Sequence, residues 1–195
     1  MLPAMLSAKK TAVLDACILY SASLRDFLLR LGRARLFHPL WSETIQAEWI
    51  RSLLRNRPDL LPEKLERTRR EMEMYFPHSL ITGFEEIVPT LQLPDSDDRH
   101  VLAVAIHAKA KHIITLNLTD FPKSVLDPYQ VEAIMPDDFV LSVIKYDAKT
   151  FLSTVAMHRA ALTRPPKTVN EYLATLKKQG LFKTVAFPQE HENYI

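Results

Sequence analysis

Apolar and polar positions along this chain follow two different periods. Thr11-Ala-Val-Leu14 is a short apolar run ending at Asp15, which predicts a buried strand. Over 16–31 the apolar residues Leu24, Phe27, Leu28 and Leu31 return at helical spacing, and Gly32 is expected to close that helix. A second strand is expected over 34–37, running on to Pro39. Ser42 is a good N-cap for a helix over 43–54, where Ile45, Trp49 and Leu53 recur every four residues. Pro58 and Pro62 mark a break before a charged helix over 63–75. Pro77, Gly83, Pro89 and Pro94 then punctuate a stretch without a clear period. Asp95 or Ser96 is expected to cap a helix reaching Ala110, and strands are expected over 112–116 and 131–134. Strands alternating with helices predict an α/β fold with a central, mainly parallel sheet. Beyond Pro136 the pattern is wholly helical, over 138–146 and 149–162. A last helix is headed by the capping box Thr168-Val-Asn-Glu171 and closed by Gly180. The expected organisation is an α/β domain over 10–140 and a helical C-terminal region over 141–195.

Composition narrows the chemistry. The 195 residues are 47% hydrophobic and 25% charged, as in a globular protein with a sizeable core. Three scattered glycines, Gly32, Gly83 and Gly180, exclude a glycine-rich phosphate loop. The single cysteine, Cys17, excludes a disulfide framework and a thiolate zinc site. It also suits a cytoplasmic protein, and Met1 to Lys10 does not read as a signal peptide. The apolar run over 139–144 is far too short to span a bilayer, so no membrane association is expected.

The net charge of +2 conceals a strong segregation. Residues 51–70 carry seven Arg or Lys and three acids, whereas 71–98 carry seven acids and no base. From 145 onward there are eight bases and four acids. Such runs are ordinarily solvated faces. Together they also suit a polyanion held on basic parts while cations collect on the acidic one.

Four acids stand at structured places. Asp15 follows the first strand, at the carboxyl end where ligands collect in open α/β sheets, and it is equally well placed to cap the next helix. Asp98 heads the apolar stripe of Val101, Leu102 and Ala105, so it must be paired, capped or bound to a cation. Asp95 and Asp97 read more simply as first-turn acids. Glu48 lies at the edge of an apolar helix face, with Arg51 as an alternative partner. Asp120 follows the 112–116 strand, beside Asn117 and Thr119, where turn chemistry is the competing reading. Clustered carboxylates cannot all stay ionised without counter-cations. All-oxygen donors suit Mg²⁺ or Mn²⁺, and such a site serves phosphoryl chemistry.

The ordered set resembles the PIN domain, the nuclease module of VapC-type toxins. The matching stretches are Val13-Leu-Asp-Ala-Cys-Ile-Leu19, Glu48, Pro94-Asp-Ser-Asp-Asp-Arg-His-Val-Leu-Ala103 and Ile114-Thr-Leu-Asn-Leu-Thr-Asp-Phe-Pro122. The resemblance implies a PIN-like α/β/α sandwich followed by a helical C-terminal appendage. It implies Mg²⁺- or Mn²⁺-dependent cleavage of single-stranded RNA, with Asp15, Glu48, Asp98 and Asp120 as catalytic and metal-holding residues. Asp95, Thr115 and Asn117 are possible supporting residues. A cognate antitoxin protein and a homodimer are further expectations of the same kind.

Arg51, Arg55, Arg57, Arg67, Arg69 and Arg70 are candidates for RNA phosphate contacts, against the plainer reading of a solvated helix face. Trp41, Trp49, Tyr75 and Phe76 read as core rather than stacking platforms. His100 and His107 read as surface or structural residues, and no His-x-x-x-His pair supports a zinc helix. Two other functions stay open, a catalytically silent PIN-like module that binds RNA or protein and an Asp-dependent phosphatase. The phosphatase would want a second Asp two residues after Asp15, where Cys17 stands.

Overall fold

The computed structural model describes residues 11–195; the reading of Met1 to Lys10 lies outside the described residues. The chain forms two compact units, one of residues up to Tyr20 with His38–Ile134 and one of Ser21–Phe37 with Met135–Ile195.

The first unit is built on a four-stranded sheet of β1 (Thr11–Leu14), β2 (His38–Leu40), β3 (His112–Ile114) and β4 (Glu132–Ile134), ordered β2-β1-β3-β4. Every pairing is parallel, with Val13 opposite both Leu40 and Ile113 and Ile114 opposite Ile134. Strands β1 and β3 are central, so both of their faces need apolar cover. Val13, Leu14, Ile113 and Ile114 are accordingly fully buried. Pro39 cannot donate to a ladder and sits in an outer strand, where that costs least.

Helices α1 (Ala16–Tyr20), α3 (Glu43–Asn56), α4 (Pro62–Tyr75) and α5 (Arg99–Ala108) belong to this unit, with the short α6 (Lys123–Leu126). Ser42 caps α3 by accepting the Ile45 N–H at 3.2 Å. Trp41 and Trp49 are fully buried, and Phe76 packs edge-to-face on Trp41, so all three are core. Tyr75 is exposed.

The second unit gathers α2 (Ala22–Arg33), α7 (Pro136–Tyr146), α8 (Ala148–Ala161), α9 (Val169–Lys178) and α10 (Ala186–Glu190). Phe27 and Phe151 meet edge-to-face, as do Phe37 and Phe139. The Thr168–Glu171 capping box forms as the sequence predicts, and Gly180 takes a left-handed φ of 82° just past α9. The Asp137 carboxylate accepts the backbone N–H groups of Lys183 and Thr184, each at 2.8 Å.

Three local expectations are corrected. The helix expected over 16–31 is two helices, because Ser21 is extended and turns its hydroxyl to the Leu24 N–H at 3.4 Å as an N-cap. Gly32 lies inside α2, and the left-handed residue that redirects the chain is Arg35, at φ 60°. The second strand falls at His38–Leu40 rather than 34–37, because Leu36 and Phe37 are buried as irregular chain.

Candidate functional site

The carboxyl ends of β1 and β3 place the first acids. The Asp15 N–H bonds to the Ile114 carbonyl at 3.1 Å, continuing the ladder one residue beyond β1. Its own carbonyl accepts the Ile18 N–H at 3.0 Å and starts α1. Both readings of Asp15 therefore coexist: the backbone starts the helix while the carboxylate is left for other work. That carboxylate is nearly buried. Its Oδ2 accepts the Thr115 hydroxyl at 2.7 Å and the Cys17 thiol at 3.1 Å. Its Oδ1 takes no hydrogen bond from the described residues.

Thr115 is fully buried just after β3, and its oxygen also accepts the Asn117 N–H at 3.0 Å, which orients the hydroxyl proton towards Asp15. Burial, followed by the charge of Asp15, pushes the Cys17 thiol up to about 12, so it remains a neutral donor. Cys17 escaped the sequence reading, which used it only to exclude other chemistries; its signal was its position two residues after Asp15.

Asp98 is the N-cap of α5 and its carbonyl accepts the Val101 N–H at 3.0 Å, but its side chain makes no capping bond. The helix thus begins later than Asp95 or Ser96. Asp95 instead accepts the Asp97 N–H at 2.8 Å in a local turn, and remains exposed. The half-buried Asp98 carboxyl is pushed up to about 7, first by burial and then by the charges of Asp15, Asp120 and Asp95. Asp120 also shares a hydrogen bond with it. Asp120 ends a single 3₁₀ turn, where the Asn117 side-chain amide donates to its Oδ2 and Thr119 donates to Asn117 Oδ1 at 2.6 Å. Asp15, Asp98 and Asp120 are therefore brought together, with Asp95 at their edge.

Glu48 points elsewhere. It lies on α3, and its Oε1 accepts from His100 Nε2 at 3.0 Å. His100 is 9% exposed, two residues beyond Asp98. No local pattern announces a contact between residues 52 positions apart.

The basic candidates divide into two groups. Arg57 pairs with Asp59 at 2.7 Å, Arg67 with Glu71 at 2.9 Å, and Arg69 with Glu66 at 3.0 Å and with Glu43. Arg51, Arg55 and Arg70 are exposed and make no ion pair among the described residues.

Among the described residues no three His, Cys, Asp or Glu side chains converge closely enough to cage a metal ion. The donor chemistry still fits one class of ion. Magnesium-like cations keep several waters and need only one or two direct carboxylates, and the half-buried Asp98 beside the like charges of Asp15 and Asp120 is a place where such a cation relieves repulsion.

Comparison with known proteins gives the family. Residues 11–119, more than half of the chain, match the family described as PIN domain. The chain belongs to the PIN domain family. In this PIN domain the matched stretch includes Asp15, Glu48 and Asp98 and ends one residue before Asp120. Residues 136–190 match a second family, the VapC50 C-terminal domain. The chain is 41% identical over 83 residues to a curated Mycobacterium tuberculosis (strain ATCC 25618 / H37Rv) protein named "Putative ribonuclease VapC50". That match spans 42% of this chain and 48% of the relative, about half of its length. No solved structure matches. No helix among the described residues is long and apolar enough to cross a membrane.

Proposed function

We propose that this PIN domain protein is a Mg²⁺- or Mn²⁺-dependent endoribonuclease that cuts phosphodiester bonds of single-stranded RNA. In this reading it is the toxin of a type II toxin–antitoxin pair, acting in the cytoplasm. The observation that carries the reading is the meeting of Asp15, Asp98 and Asp120 beyond the carboxyl ends of β1 and β3, where burial and then the neighbouring charges push the Asp98 carboxyl up to about 7. The carboxyl ends of parallel strands are where α/β folds place their ligands. The relative's printed name as a ribonuclease points the same way.

Each side chain then has a task. Asp15 offers Oδ1, because Thr115 and Cys17 occupy Oδ2 and fix the plane of the carboxylate. Asp98 or Asp120 would supply a second oxygen, the remaining acid acting through water, with Asn117 steadying Asp120. Glu48 is the fourth acid and Asp95 a rim charge that raises the local cation concentration. When bound, the divalent ion offsets charge on the phosphate and lowers the pKa of a water. A carboxylate of the set that does not hold the ion directly would serve as the base for the attacking water. Arg51 and Arg55 lie three and seven residues after Glu48, on its side of α3, and serve the RNA backbone. The nuclease chemistry is assigned to residues 10–140, and the helical region over 141–195 is proposed to belong to the same toxin. A cognate antitoxin and a homodimer complete the proposal.

Labelled single-stranded RNA with Mg²⁺ or Mn²⁺ tests it. The wild type should cut internal bonds, and Asp15→Asn and Asp98→Asn should each slow cutting by on the order of 100-fold or more. Equal rates for wild type and variants would remove the site. Expression should arrest growth, and a neighbouring small gene should relieve it; absence of both effects would leave a nuclease that is not a toxin.

A further inference from the structure

We propose that the second unit binds a ribonucleotide through its phosphate, in the cavity of about 720 Å³ that Arg30 and Arg33 of α2 share with Lys149 and Ser153 of α8. The site uses none of the acids of the first unit and needs no metal ion.

The two helices are locked together before any ligand arrives. Phe27 of α2 and Phe151 of α8 are buried and meet edge-to-face, and Asp26 meets His158 Nε2 at 3.1 Å. The last turn of α2 then faces α8 across the cavity, and both walls belong to regular helices. A site held in this way loses little freedom on binding.

The cavity wall carries three bases and no acid. The acids beside it in the chain are engaged elsewhere. Asp147 accepts the Thr150 N–H at 3.0 Å and the Thr150 hydroxyl at 2.7 Å. Asp26 takes His158 and Arg30 Nε, the latter at 3.2 Å. Because Nε is held, the guanidinium plane of Arg30 is fixed, while its two terminal nitrogens donate to nothing among the described residues. Lys149 makes no ion pair and Ser153 Oγ no hydrogen bond among the described residues, and both are exposed. Convergent donors of one sign in a concave wall suit an anion with several oxygens, such as a phosphate group.

The rest of the wall narrows the class. Thr150 gives its proton to Asp147, so its oxygen can only accept a further bond. An acceptor beside phosphate donors suits a sugar hydroxyl and is wasted on a carboxylate side chain. Met157 lines the same cavity and is 67% exposed, an apolar and polarisable surface for the face of a base. Lys149, Thr150, Ser153 and Met157 succeed one another over about 12 Å of helix, which gives phosphate, sugar and base their places in order. The volume lies in the ordinary range of small-ligand sites, about 300–1,000 Å³. The nucleotide is either free or part of a single-stranded RNA, since the same groups recognise both.

The test is calorimetry on the full-length chain with AMP and, separately, with inorganic phosphate, both in EDTA so that no divalent ion joins the ligand to the acids of the first unit. Wild type should bind one AMP. Lys149→Glu and Arg30→Gln should each weaken AMP binding by about 10-fold or more. Met157→Ser should weaken AMP binding and leave that of inorganic phosphate unchanged. Arg51→Glu, on α3 of the other unit, should leave AMP binding as in wild type. Circular dichroism verifies each fold; if Arg30→Gln does not fold, Lys149→Glu, at an exposed position without an ion pair, decides alone. Fluorescence anisotropy of a labelled single-stranded RNA in EDTA separates the two sources. A nucleotide within RNA is the occupant if AMP competes with the RNA and Lys149→Glu weakens its binding. A free nucleotide is the occupant if RNA affinity is the same in Lys149→Glu and wild type.

No AMP binding by the wild type would overturn the proposal. So would equal AMP affinity in wild type and Lys149→Glu, or an equal loss in Arg51→Glu and Lys149→Glu, which would reduce the effect to general charge. None of these outcomes touches the metal-dependent reading, which stands on cleavage and on Asp15 and Asp98.

Discussion

The Asp98 carboxyl is pushed up to about 7 because burial strips its solvent and Asp15, Asp120 and Asp95 surround it with like charge. The folded chain therefore holds this proton more tightly than the unfolded chain, whose Asp titrates near 3.8. The resulting stabilisation is fully present below that value and is lost as pH rises through about 7. The melting temperature of metal-free protein should consequently fall between pH 5 and pH 8. The same interval should be flatter in Asp98→Asn, which carries no proton to lose and should melt higher than wild type at pH 8. Added Mn²⁺ should raise the wild type at pH 8 and leave Asp98→Asn nearly unmoved; scanning calorimetry at four pH values reads all three. Identical pH slopes in the two proteins would mean that the acids do not repel as their placement implies. Thr115 offers a companion test, since its hydroxyl donates to Asp15 and accepts from the Asn117 N–H. Thr115→Val leaves Asp15 Oδ2 with the Cys17 thiol alone and takes the acceptor from the Asn117 N–H, and should cost about 1–2 kcal/mol in denaturant melts. A loss below about 0.5 kcal/mol would show that water replaces the hydroxyl.

At the scale of elements, the second unit offers a sharper stability test than the first. His158, on α8, is 5% exposed; its Nε2 meets Asp26 of α2 at 3.1 Å and its Nδ1 meets the Tyr172 hydroxyl of α9 at 3.0 Å. Three helices are thus joined through one imidazole. Tyr172→Phe keeps the ring and leaves Nδ1 buried without a partner, so it should destabilise by about 1–3 kcal/mol. Thr168→Ala, which only removes the exposed cap of α9, should cost about 1 kcal/mol. Equilibrium unfolding that ranked Thr168→Ala well above Tyr172→Phe would contradict the role given to His158. The α9 cap was plain in the sequence, because a capping box is chemistry between residues three apart. The long helices α3, α4, α8 and α9 were plain for the same reason: their apolar period repeats over several turns. Strands of three or four residues hold too few repeats to fix their ends, so β2 was displaced until its pairing with β1 set the register. Ser21 was hidden because a mid-pattern serine becomes a break only when its hydroxyl finds the Leu24 N–H. In the candidate site, Asp15, Asp98 and Asp120 were legible because each stands at the end of a recognisable element. The partners Cys17 and His100 were not, since their significance lies in contacts made only after folding.

For the molecule as a whole, the near-neutral charge is the sum of an acidic stretch and basic flanks, and folding decides which bases stay available. Arg57, Arg67 and Arg69 are engaged with nearby acids, the first two in exposed pairs that contribute little to stability, and all three charges are already offset. Arg51 and Arg55 project from α3 without ion pairs among the described residues, on the side of the helix that carries Glu48. A phosphate held there releases counterions, so RNA affinity should fall linearly on a logarithmic salt scale, with a slope near 0.7 per contacted phosphate. Fluorescence anisotropy of a labelled single-stranded RNA, with EDTA present to prevent cutting, measures that slope between about 50 and 300 mM salt. Arg51→Glu and Arg55→Glu should each weaken binding and flatten the slope by about 0.7. Arg57→Glu and Arg67→Glu should change it far less, because each removes a charge already offset by a neighbour. Equal losses from all four substitutions would show that RNA responds to the general charge of the basic stretch. A loss confined to Arg51 and Arg55 would place the backbone along α3, running from Glu48 towards the end of the helix.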